Sequence, residues 1–123
     1  MRFEDMLAGT EWEERGLHWH AYLGAGSLCL DRSDLPPREV LRSPEQVAEW
    51  IRDRAAEGEP QLVRFGERWI RTTDTEFLDI AWFRDLRVAE RGDSIICSWP
   101  AVGGGRTTVY VDAVAADQCP FDH

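Results

Sequence analysis

Ser43-Pro44-Glu45-Gln46-Val47-Ala48-Glu49-Trp50-Ile51-Arg52-Asp53-Arg54-Ala55-Ala56-Glu57-Gly58 carries every signal of one amphipathic helix. Ser43 supplies a hydroxyl at the N-cap, Pro44 fits the first helical position, and Gln46 completes a capping box. Val47, Trp50, Ile51, Arg54 and Ala55 recur at i, i+3, i+4, i+7 and i+8, the spacing of one helical stripe. Gly58 provides the stop and Pro60 prevents continuation. A helix is therefore expected over residues 44–57, with Trp50 and Ile51 packing it onto a sheet.

On either side of this segment the period falls to two. Leu17-His18-Trp19-His20-Ala21-Tyr22-Leu23 alternates, and Gly24-Ala25-Gly26 then turns the chain towards Ser27-Leu28-Cys29-Leu30, a hairpin pattern. Residues 61–65 and 68–72 flank Gly66-Glu67, a two-residue loop with glycine where a type II′ turn needs it. Residues 94–99 and 107–114 are further strands, joined through Pro100 and Gly103-Gly104-Gly105. Residues 76–83 carry two signals. Thr73-x-x-Glu76 would start a helix, whereas Leu78, Ile80 and Trp82 alternate like a strand. The strand is preferred, because a meander from residue 61 to 114 then needs no new element type. Leu35-Pro36-Pro37-Arg38 reads as an extended connector, and residues 115–123 read as a frayed tail. The fold class is α+β: an antiparallel sheet of about five or six strands with one main helix on one face.

The chain has 123 residues, a length suited to a single domain that buries about two-thirds of its surface. No apolar run approaches the roughly 18 residues of a membrane span, and the start lacks a signal peptide's apolar core. A cytoplasmic location without a membrane partner is expected. Cys29, Cys97 and Cys119 are odd in number and far apart, which suggests reduced thiols. With 23 carboxylates against 14 arginines the net charge is −9. That repels phosphate backbones, so nucleic acid is not expected as a partner, and it suits a cationic one. Lysine and asparagine are both absent. A GC-rich genome depletes the A-rich codons of both together.

Candidate site residues follow from the strands. His18 and His20 project from one face, as two metal ligands or an acid–base pair would. A third ligand is wanting: Cys29 is one option, and no Asp or Glu sits at a diagnostic offset. No metal and no other cofactor is therefore expected, and the pair is assigned to proton transfer. Six tryptophans are more than a core of this size needs, and Trp and Arg are favoured in binding sites. On Arg68-Trp69-Ile70-Arg71, Trp69 and Arg71 share one face. With Arg64 and Phe77 they suggest an aromatic and cationic groove for an extended peptide. Cys97, in an apolar strand, reads as a buried hydrophobe.

The helix followed by a meander over residues 43–72, on an acidic Trp-bearing body, resembles polymorphic-toxin immunity proteins of the α+β type, which bind a toxin and do no chemistry. Features over most of the chain resemble the lysinoalanine-forming tailoring enzymes of duramycin- and cinnamycin-type lanthipeptide biosynthesis, small proteins of GC-rich actinomycetes. They are its size, the missing lysine, Trp12, the His18-Trp19-His20 strand, and the surface from Arg64 to Phe77. That second resemblance implies an antibiotic-biosynthesis enzyme that adds a lysine amine of a bound peptide to dehydroalanine. Trp12, Trp19, Arg64, Trp69, Arg71 and Phe77 would then hold the cationic or modified peptide, and His18 and His20 would move protons. An uncovered aromatic face also suggests a homodimer.

Overall fold

The computed structural model describes residues 10–24, 32–33 and 35–123. Among them a short helix α1 (Glu11–Glu14) precedes strand β1 (Leu17–Gly24), and strand β2 (Glu39–Leu41) precedes the long helix α2 (Pro44–Ala56). A hairpin follows, β3 (Leu62–Phe65) and β4 (Arg68–Arg71), and then a second long helix, α3 (Thr75–Glu90). Strands β5 (Ile95–Pro100) and β6 (Arg106–Ala115) and a 3-10 turn (Ala116–Gln118) complete the order. The described strands form a four-stranded antiparallel sheet, β2-β1-β6-β5, and a separate two-stranded sheet, β3-β4. The expected hairpin partner at residues 27–30 lies outside the described residues.

Helix α2 forms where its local signals place it. Ser43 Oγ accepts a hydrogen bond from the Gln46 amide at 3.2 Å, while Gln46 Oε1 accepts one from the Arg42 amide at 2.8 Å. The box closes one residue earlier than the usual form: it satisfies one orphan donor of the helix start, the Gln46 amide, and ties down the Arg42 amide before the cap. In the β3–β4 hairpin Gly66 has φ of +65° and Glu67 keeps a negative φ, as a type II′ turn requires.

The α+β class stands, with two corrections to its parts. Residues 76–83 are helical, within α3, not a strand. Leu78, Trp82, Asp85 and Ala89 lie at helical spacing on the inward side, whereas Ile80, the middle of the supposed alternation, is 46% exposed. The strands are also divided between two sheets, so two long helices accompany the larger one instead of one.

Period-two alternation gives that sheet two different faces. Trp19, Ala21 and Leu23 stand opposite Ala113, Val111 and Val109 on β6, and Leu41, Ile95 and Cys97 extend the same side. Val47, Trp50 and Ile51 from α2 and Ala89 from α3 join it in one core. Trp19 and Val109 have no exposed surface. The opposite face carries His18, His20 and Tyr22 against Val114, Asp112 and Tyr110.

Residues 115–123, expected as a tail, lie against the sheet. Ala115 ends β6, and the Ala116 amide donates to the Gly16 carbonyl at 3.1 Å. The 3-10 turn then redirects the chain so that Cys119, Phe121 and His123 come back against His20 on the outer face.

Candidate metal centre

Strand β1 holds two imidazoles on one side because residues two apart in a strand share a face. The returning segment brings a thiol and a third imidazole to the same point. His18, His20, Cys119 and His123 each offer one ligand atom, and all four atoms lie within 4.8 Å of one another. His20 Nε2 is 3.0 Å from His18 Nε2 and 3.0 Å from His123 Nε2. Cys119 Sγ is 3.5 Å from His20 Nε2 and 3.3 Å from His123 Nε2.

A proton cannot satisfy this arrangement. An imidazole Nε2 carries either one proton or one lone pair, so His20 Nε2 can bond well to one of its three neighbours at a time. The remaining contacts set lone pairs against one another. A cation at the centre of the four atoms relieves all of these contacts at once. Tetrahedral zinc, with bonds of about 2.0–2.1 Å to nitrogen and 2.3 Å to sulfur, implies ligand separations of about 3.3 Å and 3.6 Å. The contacts of His20 with His18, His123 and Cys119, and that of Cys119 with His123, fall at or slightly below those values, and the whole set spans no more than 4.8 Å.

Electrostatics prepare the imidazoles for ligation. Burial, then the neighbouring His123 and Arg42, lowers the pKa of His18. Burial, then His18 and His123, brings His20 down to about 4, against a smaller opposing pull from Asp112. Both rings are thus neutral at pH 7, the form that binds metal. Beside them Asp112 is held by Arg32 through two bonds of 2.8 Å, and the Arg32 guanidinium lies 4.2 Å from the Tyr110 ring centre. The Tyr22 hydroxyl lies 3.0 Å from the Arg32 carbonyl and 2.9 Å from the Leu35 carbonyl, and its one proton serves either. Tyr22, Arg32 and Asp112 line a polar cavity of about 330 Å³ that reaches His20.

The ligand set corrects the expectation that the His pair lacks partners. Cys29 lies outside the described residues; among the described residues, the groups that could join the His pair are Cys119 and His123. Their spacing, Cys-x-x-x-His, was a readable signal, since paired ligands three to five residues apart are common in zinc sites.

The other expected site residues are dispersed. Trp19 is fully buried in the core, and Trp12 packs on it with ring centres 5.7 Å apart. Arg64 and Trp69 stand opposite each other on the exposed face of the β3–β4 hairpin, where Arg71 pairs with Leu62. Phe77 lines a cavity reached by Val63, whose partner Ile70 is buried on the hairpin's other face. The expected single groove is thus divided between two surfaces.

No family profile matches the chain, and no curated protein or solved structure shows a significant similarity to it. Among the described residues no helix is long and apolar enough to cross a membrane.

Proposed function

We propose that this protein is a transition-metal-binding domain, with zinc the ion that fits best, and that the metal fastens residues 119–123 to the outer face of the sheet. The observation that carries this function is the convergence of three imidazole nitrogens and one sulfur within 4.8 Å. Four protein ligands of this kind close a tetrahedral shell and leave no position for substrate, as in structural sites. Three neutral imidazoles and one thiolate bind a dication with a residual charge of +1. His18 and His20 then act as ligands and not as proton carriers.

Cobalt(II) substitution tests the centre directly. Tetrahedral coordination gives intense visible bands, and a bound thiolate adds a near-ultraviolet charge-transfer band. Wild-type protein should show both at one cobalt per chain. Cys119→Ser should lose the charge-transfer band, and His20→Ala should lose stoichiometric binding. Weak octahedral spectra, or binding unchanged by both substitutions, would refute the centre.

One observation favours a second function, peptide binding. Leu62 and Trp69 are 66% and 63% exposed beside Arg64 and Arg71 on one face of the hairpin. An aromatic platform with guanidinium donors suits a peptide's rings and carbonyls. The lysinoalanine chemistry implied by the resemblance would additionally need a proton carrier, and ligation occupies both candidate imidazoles. Titrating a dehydroalanine-containing lanthipeptide precursor and following loss of its thiol reactivity separates binding alone from cross-linking.

A further inference from the structure

On the sheet face away from the metal ligands, α2, α3, the β3–β4 hairpin and β5 enclose a cavity of about 410 Å³. That volume lies within the usual range for small-molecule sites. Its wall is chiefly apolar, with Ile51, Val63, Phe77, Leu78 and Trp99 contributing. One acidic side chain on that wall stands out. Asp85 is 3% exposed, on the inward side of α3.

Asp85 is poorly compensated for so buried a carboxyl. Among the described residues the group bonded to it is Arg84 Nε at 3.2 Å, and the Arg84 side chain is 62% exposed. Adjacent residues on a helix point about 100° apart, so this guanidinium reaches round from the solvent side. The other groups facing the cavity do not neutralise the carboxyl. The thiol of Cys97 is pushed up to about 11 by burial and by Asp85 itself, and so stays protonated. Arg52 is engaged with Asp79. An apolar cavity ending in an under-compensated carboxylate is complementary to one class of ligand, a cation on an apolar body. Neutral analogues gain only a hydrogen bond there, and anions are repelled. The net charge of −9 draws cations towards the protein from a distance.

We propose that this cavity is a binding site for an apolar primary amine, with the ammonium on Asp85 and the hydrocarbon body against Phe77 and Trp99. Binding exchanges the Arg84 guanidinium, which returns to water, for the ligand's ammonium. No bond is made or broken. The site is independent of the metal centre.

The test uses phenethylamine, 2-phenylethanol and 3-phenylpropionate, titrated calorimetrically into the full chain. A charge-assisted hydrogen bond contributes roughly 1.5–3 kcal/mol, so the amine should bind about tenfold tighter than the alcohol or better. The carboxylate should bind weakest. Asp85→Asn should bring the amine to within about twofold of the alcohol while alcohol binding stays unchanged. Arg84→Gln, at an exposed side chain that folding tolerates, should strengthen amine binding by removing the competing cation. In wild-type spectra the Trp99 indole N–H resonance should shift with amine. Equal affinities for amine and alcohol, no measurable amine binding, or amine binding weakened by Arg84→Gln would each overturn the proposal. The Arg84 arm keeps the test decisive if Asp85→Asn does not fold.

Discussion

His20 Nε2 lies 3.0 Å from His123 Nε2 although 103 positions separate the two residues. A metal bound there joins His18 and His20 of β1 to the returning segment, and its binding energy counts towards folding. A ligand at one hundred times its Kd stabilises by about 2.7 kcal/mol, or roughly 10 °C for a domain of this size. Zinc should therefore raise the Tm by that order over protein held in chelator. His123→Ala should cancel most of the gain while leaving the chelated Tm nearly unchanged, because His123 is exposed. Calorimetric melts with zinc and with chelator measure both.

The two described cysteines should differ in reactivity. Burial and the Asp85 carboxylate hold Cys97 at about 11, far from the thiolate that alkylating reagents need. Cys119 is part-exposed and its sulfur faces the imidazoles. Iodoacetamide at pH 8 should modify Cys119 in chelator, spare it in zinc, and spare Cys97 in both. Peptide mapping by mass spectrometry reads the result. Equal alkylation of Cys119 with and without zinc would place it outside the metal shell.

Two of the tryptophans chosen as binding residues should separate cleanly in stability. Trp19 has no exposed surface and contacts both Trp12 and the core of α2. Its replacement by alanine leaves a cavity and should cost about 3–5 kcal/mol. Trp69 is 63% exposed, and Trp69→Ala should change stability by no more than about 0.5 kcal/mol. Urea unfolding followed by circular dichroism distinguishes them.

Helix α2 was legible because its cap, stripe and stop are all local. Helix α3 was obscured because its inward stripe, Leu78, Trp82, Asp85 and Ala89, includes a charged residue that breaks the apolar period. Meanwhile the outward Ile80 completes a false alternation. The metal centre was half legible for a similar reason. His18 and His20 share a face by strand geometry alone, and that needs no tertiary knowledge. Cys119 and His123 reach them only because β6 pairs with β1 up to Leu17–Ala115 and the 3-10 turn then reverses the chain. A register between residues a hundred apart is not written in local propensity.

Asp85 should set a pH dependence of stability. Burial raises its pKa above the ordinary 3.8, more than the Arg84 pair lowers it. Among the described residues, Arg84, the protonated Cys97 thiol, Arg52 and Glu59 are the other titratable or charged groups that line the cavity with it. Below pH 3.8 the carboxyl is protonated whether the chain is folded or not, so it has no effect. As pH rises from there to the raised folded-state value, the unfolded chain ionises first and gains stability relative to the fold. The loss persists at every higher pH. Asp85→Asn removes the ionisation and gives up one pair to an exposed arginine, which is worth little. The variant should thus gain stability relative to wild type between pH 4 and pH 7, read from urea unfolding at the two pH values. A flat or opposite difference would show that Arg84 compensates the carboxylate fully. If the substitution strengthens the fold while removing the preference for amines, the carboxyl is held at a cost to stability for what it binds.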